Sequence, residues 1–216
     1  MAANNQKDTE KNNAGGPNGG GQKALRPRRI GVLALQGAFA EHRRALEALG
    51  CTAVEVRKAE ELENLDGLII PGGESTTIGS LMAKWGLMEP LKGKIAAGFP
   101  VYGTCAGLIL LAKEITGSDQ PRLGVMDIQV LRNGYGRQVD SFEADLDIPA
   151  LGPEPFAGVF IRAPIVQGAG PGVEVLAEWQ GKPVLVRQGK LLGSTFHPEL
   201  TSDLRLHRYF LQMLEE

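Results

Sequence analysis

The sequence predicts a three-layer α/β fold, a mostly parallel sheet flanked by helices on both faces. From Ile30 onward, short apolar runs alternate with amphipathic stretches, the βαβα rhythm of such a sheet. The first run, Ile30-Gly31-Val32-Leu33-Ala34-Leu35, is continuously apolar and does not alternate with polar residues, the mark of a strand buried on both faces. The length of 216 residues suits one domain of this class, which runs to roughly 200–250 residues.

Each element has its own signal. Phe39 to Leu49 reads as a helix, with Phe39, Leu46 and Leu49 on one face and Gly50 as its stop. Strands follow at Ala53 to Val56 and at Leu68-Ile69-Ile70, the latter ended by Pro71-Gly72-Gly73. Ser75 or Thr76 is placed to cap a helix reaching about Lys84, and a further helix fits Met88 to Ala97. Pro100-Val101-Tyr102 is the next strand, and Ala106 to Lys113 the next helix. The second half is richer in strands, at Asp127–Leu131, Phe142–Leu146, Gly158–Ile161, Val173–Trp179, Pro183–Arg187 and Leu191–Phe196. Gln180-Gly181 and Gln188-Gly189-Lys190 suit hairpin turns between the last three. A helix from Ser202 to Leu214 closes the chain.

Composition narrows the function. Hydrophobic residues make up 43% and charged residues 22%, which excludes collagen, coiled coil and wholesale disorder. No apolar run reaches the ~18 residues of a membrane span. The net charge of −2 speaks against nucleic-acid binding. Residues 1–29 hold six Lys/Arg against two Asp/Glu, and the remaining 187 residues carry 17 against 23. That first stretch, rich in Asn and Gly, is too poor in apolar residues to offset its ordering entropy, so it reads as a disordered tail ahead of a domain spanning 30–216. It has no apolar core of a secretory signal, and Cys51 and Cys105 are too few for a disulfide framework. The expected compartment is the cytoplasm, where thiols stay reduced.

Ligand sites of open α/β sheets lie at the carboxyl ends of strands, which directs attention to three segments. Gly103-Thr104-Cys105-Ala106-Gly107 is a G-x-C-x-G turn between strand and helix, the thiol form of a nucleophile elbow. Small flanking residues avoid clashes on the tight turn, a helix N-terminus favours thiolate over thiol, and the Ala106 N–H is placed to stabilise an oxyanion. A buried structural cysteine beside a packing glycine is the alternative. His197-Pro198-Glu199 lies 92 residues after Cys105. With proline holding the segment extended, residues 197 and 199 share a side, and Glu199 can orient His197 toward a thiol. The alternative is a strand-end histidine beside a surface glutamate. Pro71-Gly72-Gly73-Glu74-Ser75 can bring backbone N–H groups close to a ligand, as a second oxyanion donor and a carboxylate site, or be a plain strand–helix turn. Arg132 and Arg162 lie in a Gly-rich turn and at a strand end, where each can bind a carboxylate or serve as a surface ion pair. His42 and His207, in amphipathic helices, read as surface or half-buried residues with no catalytic part.

These residues together resemble the triad-type, class I glutamine amidotransferases. In more detail the chain is similar to the glutaminase subunits of pyridoxal 5′-phosphate synthases, through Leu35-Gln36-Gly37, Pro71-Gly72-Gly73-Glu74-Ser75-Thr76-Thr77, Gly103 to Leu108, Arg132-Asn133, Gly136-Arg137-Gln138-Val139-Asp140-Ser141-Phe142-Glu143, Phe160-Ile161-Arg162-Ala163-Pro164 and Phe196-His197-Pro198-Glu199-Leu200. The likeness runs from Ile30 to the C-terminus. It implies a flavodoxin-like amidotransferase fold and hydrolysis of L-glutamine to L-glutamate and ammonia. It implies Cys105 as nucleophile with His197 and Glu199 completing the triad, and glutamine held by Gly73, Glu74, Ser75, Arg132, Ile161 and Arg162. Gly72, Gly73 and Ala106 are the oxyanion-hole candidates. The implied partner is a separate synthase subunit, a (β/α)8 barrel that receives the ammonia. Covalent cysteine chemistry needs no metal or organic cofactor. Pyridoxal phosphate would be the product of the complex. A stand-alone cysteine hydrolase and a non-catalytic docking module are the other readings that these residues admit.

Overall fold

The structure, a computed structural model, describes residues 27–135 and 141–216. Its centre is a seven-stranded sheet in the order β10-β11-β12-β4-β3-β1-β2. The strands are β1 (Arg29–Leu33), β2 (Thr52–Val56), β3 (Gly67–Ile70), β4 (Val101–Thr104), β10 (Glu174–Trp179), β11 (Lys182–Gln188) and β12 (Leu191–Ser194). Neighbours from β2 through β12 run parallel. The β10, β11 and β12 strands pair antiparallel, across the two turns that the sequence marks as hairpins.

The three layers follow from alternation along each central strand. On β3, Leu68 and Ile70 enter one apolar cluster and Ile69 the other. The first cluster packs under α2 (Ser75–Lys84), α3 (Met88–Ala96) and α4 (Ala106–Leu111), with Ile78, Leu91 and Leu108 wholly buried. A small sheet of β5 (Ala112–Ile115), β6 (Met126–Leu131) and β9 (Ile165–Ala169) joins that side. The second cluster packs under α1 (Phe39–Ala48) and α5 (Arg205–Met213), through Leu46, Leu206 and Phe210. The hairpin β7 (Ser141–Leu146) with β8 (Phe156–Ile161) adds Leu146, Phe156 and Phe160 to it.

Several local expectations are corrected. The helix expected to reach Lys113 stops at Leu111, because the carbonyls of Leu110 and Leu111 accept the N–H groups of Leu123 and Val125 at 2.8 and 2.9 Å. The chain then turns into β5, which pairs with β6. Strand β9 was not expected, since Pro164 before it and Gly168 and Gly170 beside its end weaken its strand pattern. The cap of α2 is Glu74, not Ser75 or Thr76. Its carboxylate accepts the N–H groups of Thr76 and Thr77 at 3.1 and 2.7 Å, while the Ser75 and Thr76 hydroxyls turn to Gln120 Oε1. Arg29, counted with the tail, is the first residue of β1, and Arg28 pairs with Glu215 at 2.7 Å. Residues 1–26 and the Gly136 to Asp140 stretch lie outside the described residues.

Candidate active site

The parallel pairing of β4 with β12 sets Thr104 opposite Ser194. Cys105 follows the first and His197 lies three residues beyond the second, so 92 residues of sequence separation collapse to adjacent strand ends. The Cys105 N–H donates to Ser194 O at 2.8 Å and the His197 N–H to Val159 O at 2.8 Å, which ties both turns to their neighbours.

The elbow is strained at Cys105 itself. Cys105 sits at φ 47° and ψ −98°, a conformation that costs a non-glycine residue of order 1–3 kcal/mol. A Cβ on Gly103 would lie 2.5 Å from the Gly107 carbonyl carbon, and one on Gly107 would lie 2.0 Å from Ile70 O. The two flanking glycines therefore let the turn close upon itself and against β3. The Cys105 thiol is 6% exposed, with Sγ 4.0 Å from Ile161 O. Ala106 opens α4, so its N–H has no partner within the helix, although Ala106 itself is not among the residues lining the cavity.

His197 and Glu199 come together, although not on an extended segment. Residues Pro198–Leu200 form a 3-10 turn, with proline at the position where a helical turn needs no N–H. That turn swings the Glu199 carboxylate back, and its Oε1 lies 2.8 Å from His197 Nδ1. Burial by itself would lower the His197 pKa. Its contacts with Cys105 and then Glu199 outweigh that and raise it to about 10. Burial also opposes the charge of Glu199, yet the neighbouring His42 and His197 hold its carboxyl below the ordinary glutamate value.

A cavity of about 340 Å³ opens above the thiol, within the roughly 300–1,000 Å³ of small-molecule sites. Cys105 and His197 line it, as do Gly72, Gly73, Glu74, Ser75, Arg132, Ile161 and Arg162. Every substrate-binding residue expected from the sequence therefore reaches one hollow. A larger hollow of about 450 Å³ beside Trp85 is lined by Arg57, Lys58, Ala59 and Glu60 and holds neither a cysteine nor a histidine. Within the cavity wall, Arg132 reaches Glu74 Oε1 at 3.0 Å and Thr76 Oγ1 and Gln120 Oε1 at 2.9 Å each. Burial opposes the Glu74 charge, but its bonds with Thr77 and Thr76 and the Arg132 charge hold its carboxyl below the ordinary range. Gly72 lies so close to the imidazole that a Cβ there would stand 2.3 Å from His197 Cε1. Gly73 and Gly37 are equally confined, as Gln36 Oε1 accepts the Glu74 N–H at 2.7 Å and the Ala38 N–H donates to Gly72 O at 3.0 Å.

Sequence reasoning missed part of the wall and the support behind it. Gln36, Gly37 and Ala38 line the cavity from the loop after β1; Leu35-Gln36-Gly37 carries part of the family resemblance but has no expected part in the site, although this is a fourth strand end under the same rule. Asn133, Ile109 and Leu200 complete the lining. His42 and His207, expected at the surface or half-buried, are both 0% exposed. The signal was available in helical phase. His42 lies three residues after Phe39 and four before Leu46, and His207 three before Phe210, so both share the apolar face.

The SNO glutamine amidotransferase family matches residues 32–216. The chain belongs to that family. It is 61% identical over 186 residues to the "Pyridoxal 5'-phosphate synthase subunit PdxT" of Moorella thermoacetica, covering 86% of this chain and 99% of that protein. It is 63% identical over 184 residues to the protein of the same description from Pelotomaculum thermopropionicum, covering 85% and 94%. A solved structure described as a glutamine amidotransferase superposes with a TM-score of 0.83 at 57% identity, covering 87% of this chain and 99% of that one. The PurLQS structure from Thermotoga maritima, at a TM-score of 0.62 and 18% identity, shares the fold. Among the described residues no helix is long and apolar enough to cross a membrane, and no group of three or more His, Cys, Asp or Glu is placed to hold a metal ion.

Proposed function

We propose that this chain hydrolyses L-glutamine to L-glutamate and ammonia, and delivers the ammonia to a synthase subunit that builds pyridoxal 5′-phosphate. The meeting of Cys105 and His197 over one cavity carries the reading, and the high identity to synthase subunits of that name supports it.

Glutamine enters with its amino and carboxylate groups toward Glu74 and Arg132, and with Gly73, Ser75, Ile161 and Arg162 around it. The Cys105 sulfur attacks the side-chain amide carbon as the thiolate, the proton of the pair being already held on His197, whose pKa is raised to about 10. A C–S bond forms and the carbonyl oxygen becomes an oxyanion, met by the N–H of Ala106 and by those of Gly72 or Gly73. The C–N bond breaks as His197 passes its proton to the departing nitrogen, and ammonia leaves. Water then adds to the thioester with His197 as base, the C–S bond breaks, and glutamate leaves with the thiol restored. Glu199 orients the imidazole throughout and stabilises its charged form. The receiving partner is a (β/α)8 barrel, and the complex works in the cytoplasm, where both cysteines stay free.

The test is ammonia release from glutamine by the pure chain, alone and with the purified synthase subunit. Release that rises when the synthase is added, together with glutamine-dependent pyridoxal phosphate, is the expected result. Folded chain with no turnover in either condition overturns the reading.

A further inference from the structure

Behind the triad lies a buried polar chain that the chemistry above does not use. Glu199 Oε1 faces His197, and its other oxygen, Oε2, is buried without a hydrogen bond of good geometry among the described residues. His42 Nε2 stands 3.3 Å from that oxygen and 3.2 Å from Thr104 Oγ1. On the far side of the ring, His42 Nδ1 lies 3.0 Å from His207 Nε2. Three elements distant in sequence thus meet at one imidazole: β4 at Thr104, the turn holding Glu199, and α5 at His207.

Chemistry selects one arrangement of protons. Burial is the largest influence on His42 and lowers its pKa, and burial with the nearby His42 lowers that of His207 to about 3, so both rings are neutral. Each neutral imidazole carries one N–H and one bare nitrogen. A bare Nε2 on His42 would set a lone pair against a carboxylate at 3.3 Å, so Nε2 carries the proton. His42 Nδ1 must then accept, and His207 Nε2 donates to it. That leaves His207 Nδ1 bare, which agrees with its being buried with no partner among the described residues. An N–H stranded there would cost more than a bare nitrogen.

We propose that His42 is a positioning residue of the reaction, its Nε2–H holding Glu199 Oε2 to Thr104 at the root of the nucleophile's turn, with His207 fixing the tautomer. One proton shared between Glu199 and Thr104 links the two arms of the triad, since Thr104 precedes Cys105 and Glu199 orients His197. The cost supports a role. Two histidines at 0% exposure lose their hydration, and apolar side chains on these helix faces would avoid that loss. Because His42 does not line the cavity, it acts on the geometry of Glu199 and not on the binding of glutamine.

The inference rests on the glutaminase reading, and its test separates the two. In the complex with synthase, His42→Leu lowers kcat by roughly 10- to 100-fold, the scale of a misplaced catalytic group, with KM for glutamine nearly unchanged. His42→Gln, whose side-chain amide can present an N–H at the Nε2 position, restores most of the rate. A folded His42→Leu variant with native kcat overturns the proposal, as does a His42→Gln variant no better than it. Should the leucine variant fold poorly, imidazole nitrogen-15 shifts of the native protein decide. The Nε2–H form of His42 is expected, and the Nδ1–H form overturns it. Inactive wild-type complex defeats the glutaminase reading, and the nitrogen-15 measurement still judges the tautomer on which this inference stands.

Discussion

Glu199 has an imidazole against each of its oxygens, and the two sides behave in opposite ways. On the cavity side, His197 lies 2.8 Å from Oε1 and is raised to about 10. On the core side, His42 lies 3.3 Å from Oε2 and is lowered, with His207 behind it at about 3. The same carboxylate pulls upward on both. The difference lies in what else each ring meets. His197 has the Cys105 thiol as a second partner, and together these contacts outweigh its burial. His42 has a neighbouring His197 that pushes the other way, so burial dominates. A carboxylate alone does not make a buried histidine a proton carrier. A second partner that welcomes the charge does.

The largest effects should come from breaking the cavity side. Cys105→Ala removes the attacking atom, and glutamine turnover by the complex should fall by roughly four orders of magnitude or more, while docking to the synthase persists. Native turnover in that variant would reassign the nucleophile. His197→Asn should approach the same loss. Glu199→Gln should cost less, roughly 10²- to 10³-fold in kcat, because it orients the proton carrier and does not carry the proton. Its amide can present an oxygen to only one of the two N–H groups facing it, so it strains one side of the comparison. Equal losses for the two substitutions would count against this division.

Gly72→Ala probes the clearance on the cavity side. The added methyl would stand 2.3 Å from His197 Cε1, so the imidazole must move. A kcat loss of about tenfold or more is expected, with the thermal midpoint little altered. Native kinetics would show that His197 has room to spare.

Stability against pH sharpens the contrast, because the two sides carry opposite signs. The His197 contribution is complete below its unfolded value of 6.5 and is lost as pH rises to about 10. His42 and His207 refuse protons that the unfolded chain accepts, so stability falls as pH drops from 6.5 toward about 3. Glu199, held below 4.5, deepens that acid loss. Urea midpoints across this range should show His207→Leu flattening the acid limb and His197→Asn flattening the alkaline one. Unchanged limbs in both variants would refute the assignment of charge. The smallest effect is expected from removing residues 1–26, which should leave kcat and KM for glutamine as they were, read in the same assay.

The two sides also differed in how legible they were. The cavity side could be read because its motifs are local. The glycines around Cys105 and the His-Pro-Glu triplet report the demands of a tight turn and a short reach. Even there the means was misread, since Glu199 returns to His197 through a 3-10 turn and not along an extended strand. On the core side, Glu41, Arg43 and Arg44 surround His42 with charge, and that composition masked the helical phase that buries it. The cap of α2 was misplaced for a related reason. Ser75 and Thr76 have capping side chains, but Gln120, far along the chain, claims both hydroxyls.

By itself the sequence determined the alternation of strand and helix, the strained cysteine turn and the histidine–glutamate pair, because each depends on residues within a few positions of one another. Only the tertiary structure decided that β4 and β12 are neighbours, that six separate segments share one cavity, and that His42 and His207 stand behind Glu199. Strand order and helix docking are settled by burial summed over the whole chain, and no short segment carries that sum.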